Sequence, residues 1–101
     1  MQQKYLIAIL LCCLLAGQAG LALATEHLRL ATTTSTDNSG LLAELLPPFE
    51  TANNCQVDVI AVGTGKAIKL GETGDVDVVM VHARSKEDKF VNAGHGVDRR
   101  D

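Results

Sequence analysis

Three short apolar runs, His27 to Ala31, Val57 to Val62 and Val76 to Val81, alternate with helical patterns, and this alternation constrains the chain more than any other feature. Joining parallel strands takes a crossover long enough to hold a helix, and such crossovers are right-handed. The order strand, helix, strand, helix, strand, helix therefore predicts an α/β fold, an open parallel sheet with flanking helices. Leu41, Leu42, Leu45, Leu46 and Phe49 form the apolar face of the first helix, which enters at Ser39-Gly40. Pro47-Pro48 should kink or restart it, because each proline removes a backbone donor and crowds the preceding turn. The second helix is expected over Lys66 to Glu72, closed by Gly71 or Gly74. The third opens at Ser85-Lys86-Glu87-Asp88, which has capping-box spacing, and runs to Ala93 before Gly94-His95-Gly96. The nearly continuous apolar character of Val76 to Val81 predicts a strand buried on both faces.

Ahead of the first strand lies a leader. Lys4 precedes an apolar core from Tyr5 to Leu15, and small residues lead to Ala22-Leu23-Ala24. This is the pattern of a secretory signal peptide over residues 1–24, cleaved near Ala24, and it predicts a periplasmic or secreted product. The core is short for a membrane span. Leu11 stands before Cys12 where a lipid-modified cysteine would follow a small residue, which argues against a lipid anchor. Residues 25–101 then read as one α/β unit near the size at which a single core has little surplus stability, and its pattern, without an evident closing element, is that of the front part of a longer protein.

Loss of the leader removes one cation and no acid, so eight Lys and Arg face twelve Asp and Glu and residues 25–101 carry −4. That balance argues against nucleic acid and anionic membrane as partners, and the scarcity of aromatic residues disfavours stacking platforms for bases or sugars. Cys55 is left without a disulfide partner in this stretch, and His27, His82 and His95 fall on separate elements without metal-ligand spacing.

Two loops carry the chemistry. Thr32-Thr33-Thr34-Ser35 lies between the first strand and the first helix, and Gly63-Thr64-Gly65-Lys66 holds the same place after the second. Ligands of open α/β sheets bind at the carboxyl ends of the strands, where both loops fall. Hydroxyls and the free N–H groups of a helix start can bind an oxyanion without ion pairing. A helix cap and a tight turn remain the alternative readings of these segments. Gly65-Lys66 does not make a nucleotide phosphate loop, since Ala67 replaces the magnesium-holding Ser/Thr and Ile60 stands where the first glycine belongs. The dinucleotide fingerprint fails as well, with Ile68 at its third glycine.

Leu30 to Thr36 with Ser39 to Leu42, Val59 to Gly65, Asp77 to Ala83, and Lys89 to Val91 running into Gly94 to Arg100 together resemble the tungstate-binding proteins of ABC transporters, a branch of the type II periplasmic binding proteins. The resemblance implies an exported receptor with two α/β lobes, of which this chain carries part of the first. It implies no catalysis and no cofactor. The ligand would be a small tetrahedral oxyanion, tungstate first, and the partner a membrane permease; a complete receptor would act as a monomer. Carried onto this sequence, the ligand-binding residues are Thr32, Thr33, Thr34 and Ser35, with Thr64 and the N–H of Gly65 added from the second loop. Arg84 stands where the family usually has proline, and Asn38 where an acid is common. The second lobe and its arginine contact have no counterpart in this sequence, and Arg99 and Arg100 read as surface cations. Rival expectations are a receptor for molybdate, phosphate or sulfate, a secreted α/β enzyme acting on an anionic substrate, and a truncated product without function.

Overall fold

The computed structural model describes residues 24–101. The expected leader, apart from Ala24, lies outside the described residues. Strands β1 (Glu26–Thr33), β2 (Cys55–Val62) and β3 (Val78–Met80) form one parallel sheet in the order β2-β1-β3. Around them are α1 (Thr34–Asn38), α2 (Leu41–Asn53), α3 (Thr64–Glu72) and α4 (Arg84–Asn92). The expected open parallel α/β architecture is present.

β1 occupies the centre because Leu30 to Thr33 can be buried on both faces; Leu30, Ala31, Thr32 and Thr33 are all buried. Its register runs from Glu26 opposite Cys55 to Thr33 opposite Val62 on one side, and from Leu30 opposite Val78 to Thr32 opposite Met80 on the other. The chain leaves β1 for β2 in one direction and crosses back over β1 to reach β3, so right-handed crossovers place α2 and α3 on opposite faces. Ala31, Ala67 and Val76 form the core under α3, with Ile60, Val62, Leu70, Val79 and Val81 packed around them. The alanines let helix and sheet approach closely.

Two helices finish alike. In α3 the N–H of Asp75 donates to the Leu70 carbonyl, 3.0 Å, and that of Gly74 to Gly71, 3.2 Å; in α4 the same pair runs from His95 to Phe90, 3.1 Å, and from Gly94 to Val91, 2.9 Å. Both are Schellman ends, and Gly74 and Gly94 take the positive φ, 75° and 83°, that such ends require. The Phe90 and His95 rings, 5.7 Å apart, supply the apolar contact across the second end.

Five expectations need correction. α2 runs unbroken through Pro47 and Pro48; these residues and the carbonyl-bearing Ala43 and Glu44 are exposed, so water can hydrate the acceptors that the prolines leave unpaired. Only Leu42 of its apolar face is buried, while Leu41, Leu45 and Phe49 remain exposed. β3 is three residues long rather than six, and Val78 and Met80 are 40% and 37% exposed, because β3 is the sheet's edge among the described residues and no described helix lies over that face of it. α3 starts at Thr64 instead of Lys66, and α4 at Arg84 with Ala83 as its cap. Glu87 supplies the capping acid, accepting from the Ala83 N–H at 3.1 Å, and Ser85 makes no cap.

Candidate functional site

The threonine run divides into two parts. Thr32 and Thr33 are the last residues of β1 and are 0% and 4% exposed, whereas Thr34 and Ser35 are exposed in the first turn of α1. Thr32 donates its hydroxyl to the Met80 carbonyl across the sheet, 2.9 Å. Thr33 is the N-cap of α1, with φ −92° and ψ 152°, and its Oγ1 accepts from the Thr36 N–H at 3.3 Å. That oxygen also lies 2.8 Å from Thr36 Oγ1 and 3.2 Å from Ser35 Oγ. Thr33, Ser35 and Thr36 therefore form a hydroxyl cluster at the head of α1. The cap reading of this run holds for Thr33, while the Thr34 and Ser35 side chains stay exposed.

Thr36 was absent from the sequence expectation. The signal was available, since the hydroxyl run extends through it and its three-residue spacing from Thr33 is that of an N-cap and its partner.

At the second loop, Gly63 caps α3 with extended backbone and offers no side-chain acceptor. The first intrahelical bond runs from Ala67 N–H to the Gly63 carbonyl, 2.9 Å. Thr64, Gly65 and Lys66 thus contribute the early N–H groups that a helix cannot satisfy internally. Thr64 is half-buried and Gly65 exposed, and a Cβ at Gly65 would meet nothing within 4 Å. The register of Thr33 against Val62 brings the two loops to the same level on adjacent strands, about 4.8 Å apart.

The local charge is mixed. Asp37 sits in the first turn of α1, exposed, and Lys66 near the start of α3. Of two clefts of about 350 and 590 Å³, neither is bordered by the threonine run, and Gly65 alone of the six expected residues borders the smaller. Asp58, whose carboxyl is held below the ordinary range by a hydrogen bond from His27 and another from Gln56, lies toward the other end of β2. Among the described residues no cluster of three His, Cys, Asp or Glu could hold a metal ion.

Fold and site together define an α/β domain with donor-rich helix starts gathered at the carboxyl ends of parallel strands. The chain belongs to the PBP superfamily domain family, whose model matches residues 18–101. It is similar to the tungstate-binding protein TupA of Peptoclostridium acidaminophilum, 50% identical over 72 residues, which are 71% of this chain and 25% of that protein. It is also similar to TupA of Campylobacter jejuni, 46% identical over 65 residues, 64% of this chain and 24% of the relative. A solved structure described as the tungstate ABC transporter from Geobacter sulfurreducens superposes with a TM-score of 0.69 at 69% identity, covering 71% of this chain and 31% of that one. The chain spans 22–25% of the length of the curated relatives it matches.

Proposed function

We propose that the chain is part of the exported substrate-binding component of an ABC transporter, capturing a tetrahedral oxyanion, tungstate first, and passing it to a membrane permease. The observation that carries this reading is the register of Thr33 against Val62, which sets a hydroxyl-bearing helix start beside an uncapped one. The similarity to proteins named as tungstate-binding supports the choice of ligand.

In this reading Thr34 and Ser35 face the anion with their hydroxyls and backbone N–H groups, and Thr64 and the Gly65 N–H approach from the second strand end. Thr33 holds the cluster in place from beneath, and Thr32 contributes through the sheet. The donors replace the water shell of the anion, and a neutral set of donors accepts a dianion with no protonation step. Ser35 Oγ has the Thr33 hydroxyl for a neighbour rather than a base, the arrangement of a binding group and not of an activated nucleophile. Sulfate and molybdate share the tetrahedral shape and charge of tungstate, so cavity size must discriminate.

Calorimetric titration of the chain with tungstate, molybdate, phosphate and sulfate tests the reading. Tungstate binding that survives excess sulfate supports it. Preference for sulfate or phosphate, or no binding of any oxyanion, overturns it for this chain.

A further inference from the structure

The hydroxyl cluster of Thr33, Ser35 and Thr36 cannot place its protons freely. A threonine oxygen carries one proton and can accept two others. Thr33 Oγ1, in a residue only 4% exposed, already accepts from the Thr36 N–H at 3.3 Å. One acceptor position and one proton are then left for two hydroxyl neighbours, Thr36 Oγ1 at 2.8 Å and Ser35 Oγ at 3.2 Å. Thr33 must accept from one and donate to the other, so the three hydroxyls have two possible orders.

In the first order Ser35 donates inward to Thr33 and Thr33 donates to Thr36. Exposed Ser35 then turns only lone pairs outward, and these repel an anion. In the second order Thr36 donates to Thr33, Thr33 donates to Ser35, and the Ser35 proton is left to point outward. The half-buried Thr36 decides between them. Once its hydroxyl fills the second acceptor position of Thr33, Ser35 has no inward acceptor in the cluster. Donations that follow one another in a single direction also polarise each other, by about 10–30% per bond.

We propose that Thr36 is a positioning residue for the oxyanion, holding the Ser35 proton toward the ligand through the hydroxyl of Thr33. Thr36 does not touch the ligand. The inference rests on the oxyanion reading, which supplies the acceptor at the end of the chain of hydroxyls, and it gives Thr36 a duty that the cap of α1 does not require: the Thr36 N–H alone makes the bond to Thr33 Oγ1 that caps the helix.

Calorimetric titration with sodium tungstate, applied to a double-mutant cycle at Thr36 and Ser35, tests the proposal. Thr36→Val keeps the side-chain shape and the capping N–H. It is expected to bind tungstate about fivefold more weakly, the worth of one ordinary hydrogen bond, with unchanged circular dichroism. Thr36→Ala makes the same comparison without a branched side chain. Thr36→Ser retains the hydroxyl and is expected to recover most of the loss. In chains that already carry Ser35→Ala, Thr36→Val is expected to lower affinity no further, because the proton that Thr36 directs is gone; a purely structural role would weaken both backgrounds alike. Equal affinity in the parent and Thr36→Val, a Thr36→Ser variant as weak as Thr36→Val, or an undiminished effect in the Ser35→Ala background would overturn this inference alone. A parent chain that does not bind tungstate would overturn the underlying reading together with it.

Discussion

Thr32 Oγ1 donates to the carbonyl oxygen of Met80 over 2.9 Å, joining the central strand to the edge strand at the level where both end. The hydroxyl is spent inside the sheet, so Thr32 supports the candidate site instead of facing a ligand. Thr32→Val keeps the shape and removes this bond, leaving a buried site without its hydroxyl and the Met80 carbonyl without its donor. The expected loss is about 1–2 kcal/mol of stability, read as a lower denaturant midpoint with an unchanged slope. Oxyanion affinity in the folded variant should remain near that of the parent.

Thr34→Val combined with Ser35→Ala removes the two exposed hydroxyls while leaving the Thr33 cap intact. Affinity for tungstate is expected to fall about tenfold or more, equivalent to about 1.4 kcal/mol, with the far-ultraviolet dichroism unchanged. Equal affinity in parent and variant would take this loop out of the site.

Gly71 lies where α3 meets β3 and α4. A Cβ there would come within 2.7 Å of Val79 Cγ2 and 2.9 Å of Phe90 Cζ. Alanine in a helix ordinarily gains about 1 kcal/mol over glycine, but overpacking of this kind costs about 1–3 kcal/mol. Gly71→Ala is therefore expected to lower the thermal midpoint, and a raised midpoint would show that the Phe90 ring swings aside freely.

Pro48 stands exposed inside the unbroken helix α2. Pro48→Ala restores a backbone donor and removes a clash of about 3 kcal/mol, offset by about 1 kcal/mol from the greater freedom of the unfolded chain. A net stabilisation of about 2 kcal/mol in urea is expected. No change would mean that the helix breaks at this point in solution.

Asp58 is held below the ordinary carboxylate range first by its hydrogen bond to His27, 3.0 Å, and then by that to Gln56, 3.0 Å. A depressed folded-state value means that the pair's stabilisation is present above the unfolded-state carboxylate pKa and is lost as the pH falls through the lower folded value. His27→Ala should raise the Asp58 pKa toward the ordinary value in a carboxyl NMR titration. Its stability deficit should be seen at neutral pH and should vanish in acid.

A short apolar run made β1 readable, and β2 was readable because a β-branched run bounded by Asn53-Asn54 and Gly63 has few other uses. The two donor loops were readable for the same reason: each falls between a strand and a helix. What escaped was set by tertiary placement. Val76 to Val81 reads as a strand buried on both faces, yet its burial depends on which helix lies over it, and local sequence does not specify that. Pro47 and Pro48 look like breakers until their surroundings are known to be solvent. The separate duties within Thr32 to Ser35 depend on where β1 ends, a boundary that a uniform run of hydroxyl residues conceals.

β2 and β3 share no hydrogen bond, since each pairs with β1 alone. Slow amide exchange should therefore be concentrated in β1, whose interior N–H groups point alternately to β2 and to β3, strands that have no other partner among the described residues. The strand that is first in sequence is thus complete only when the third has been made, and no fragment lacking it retains any sheet.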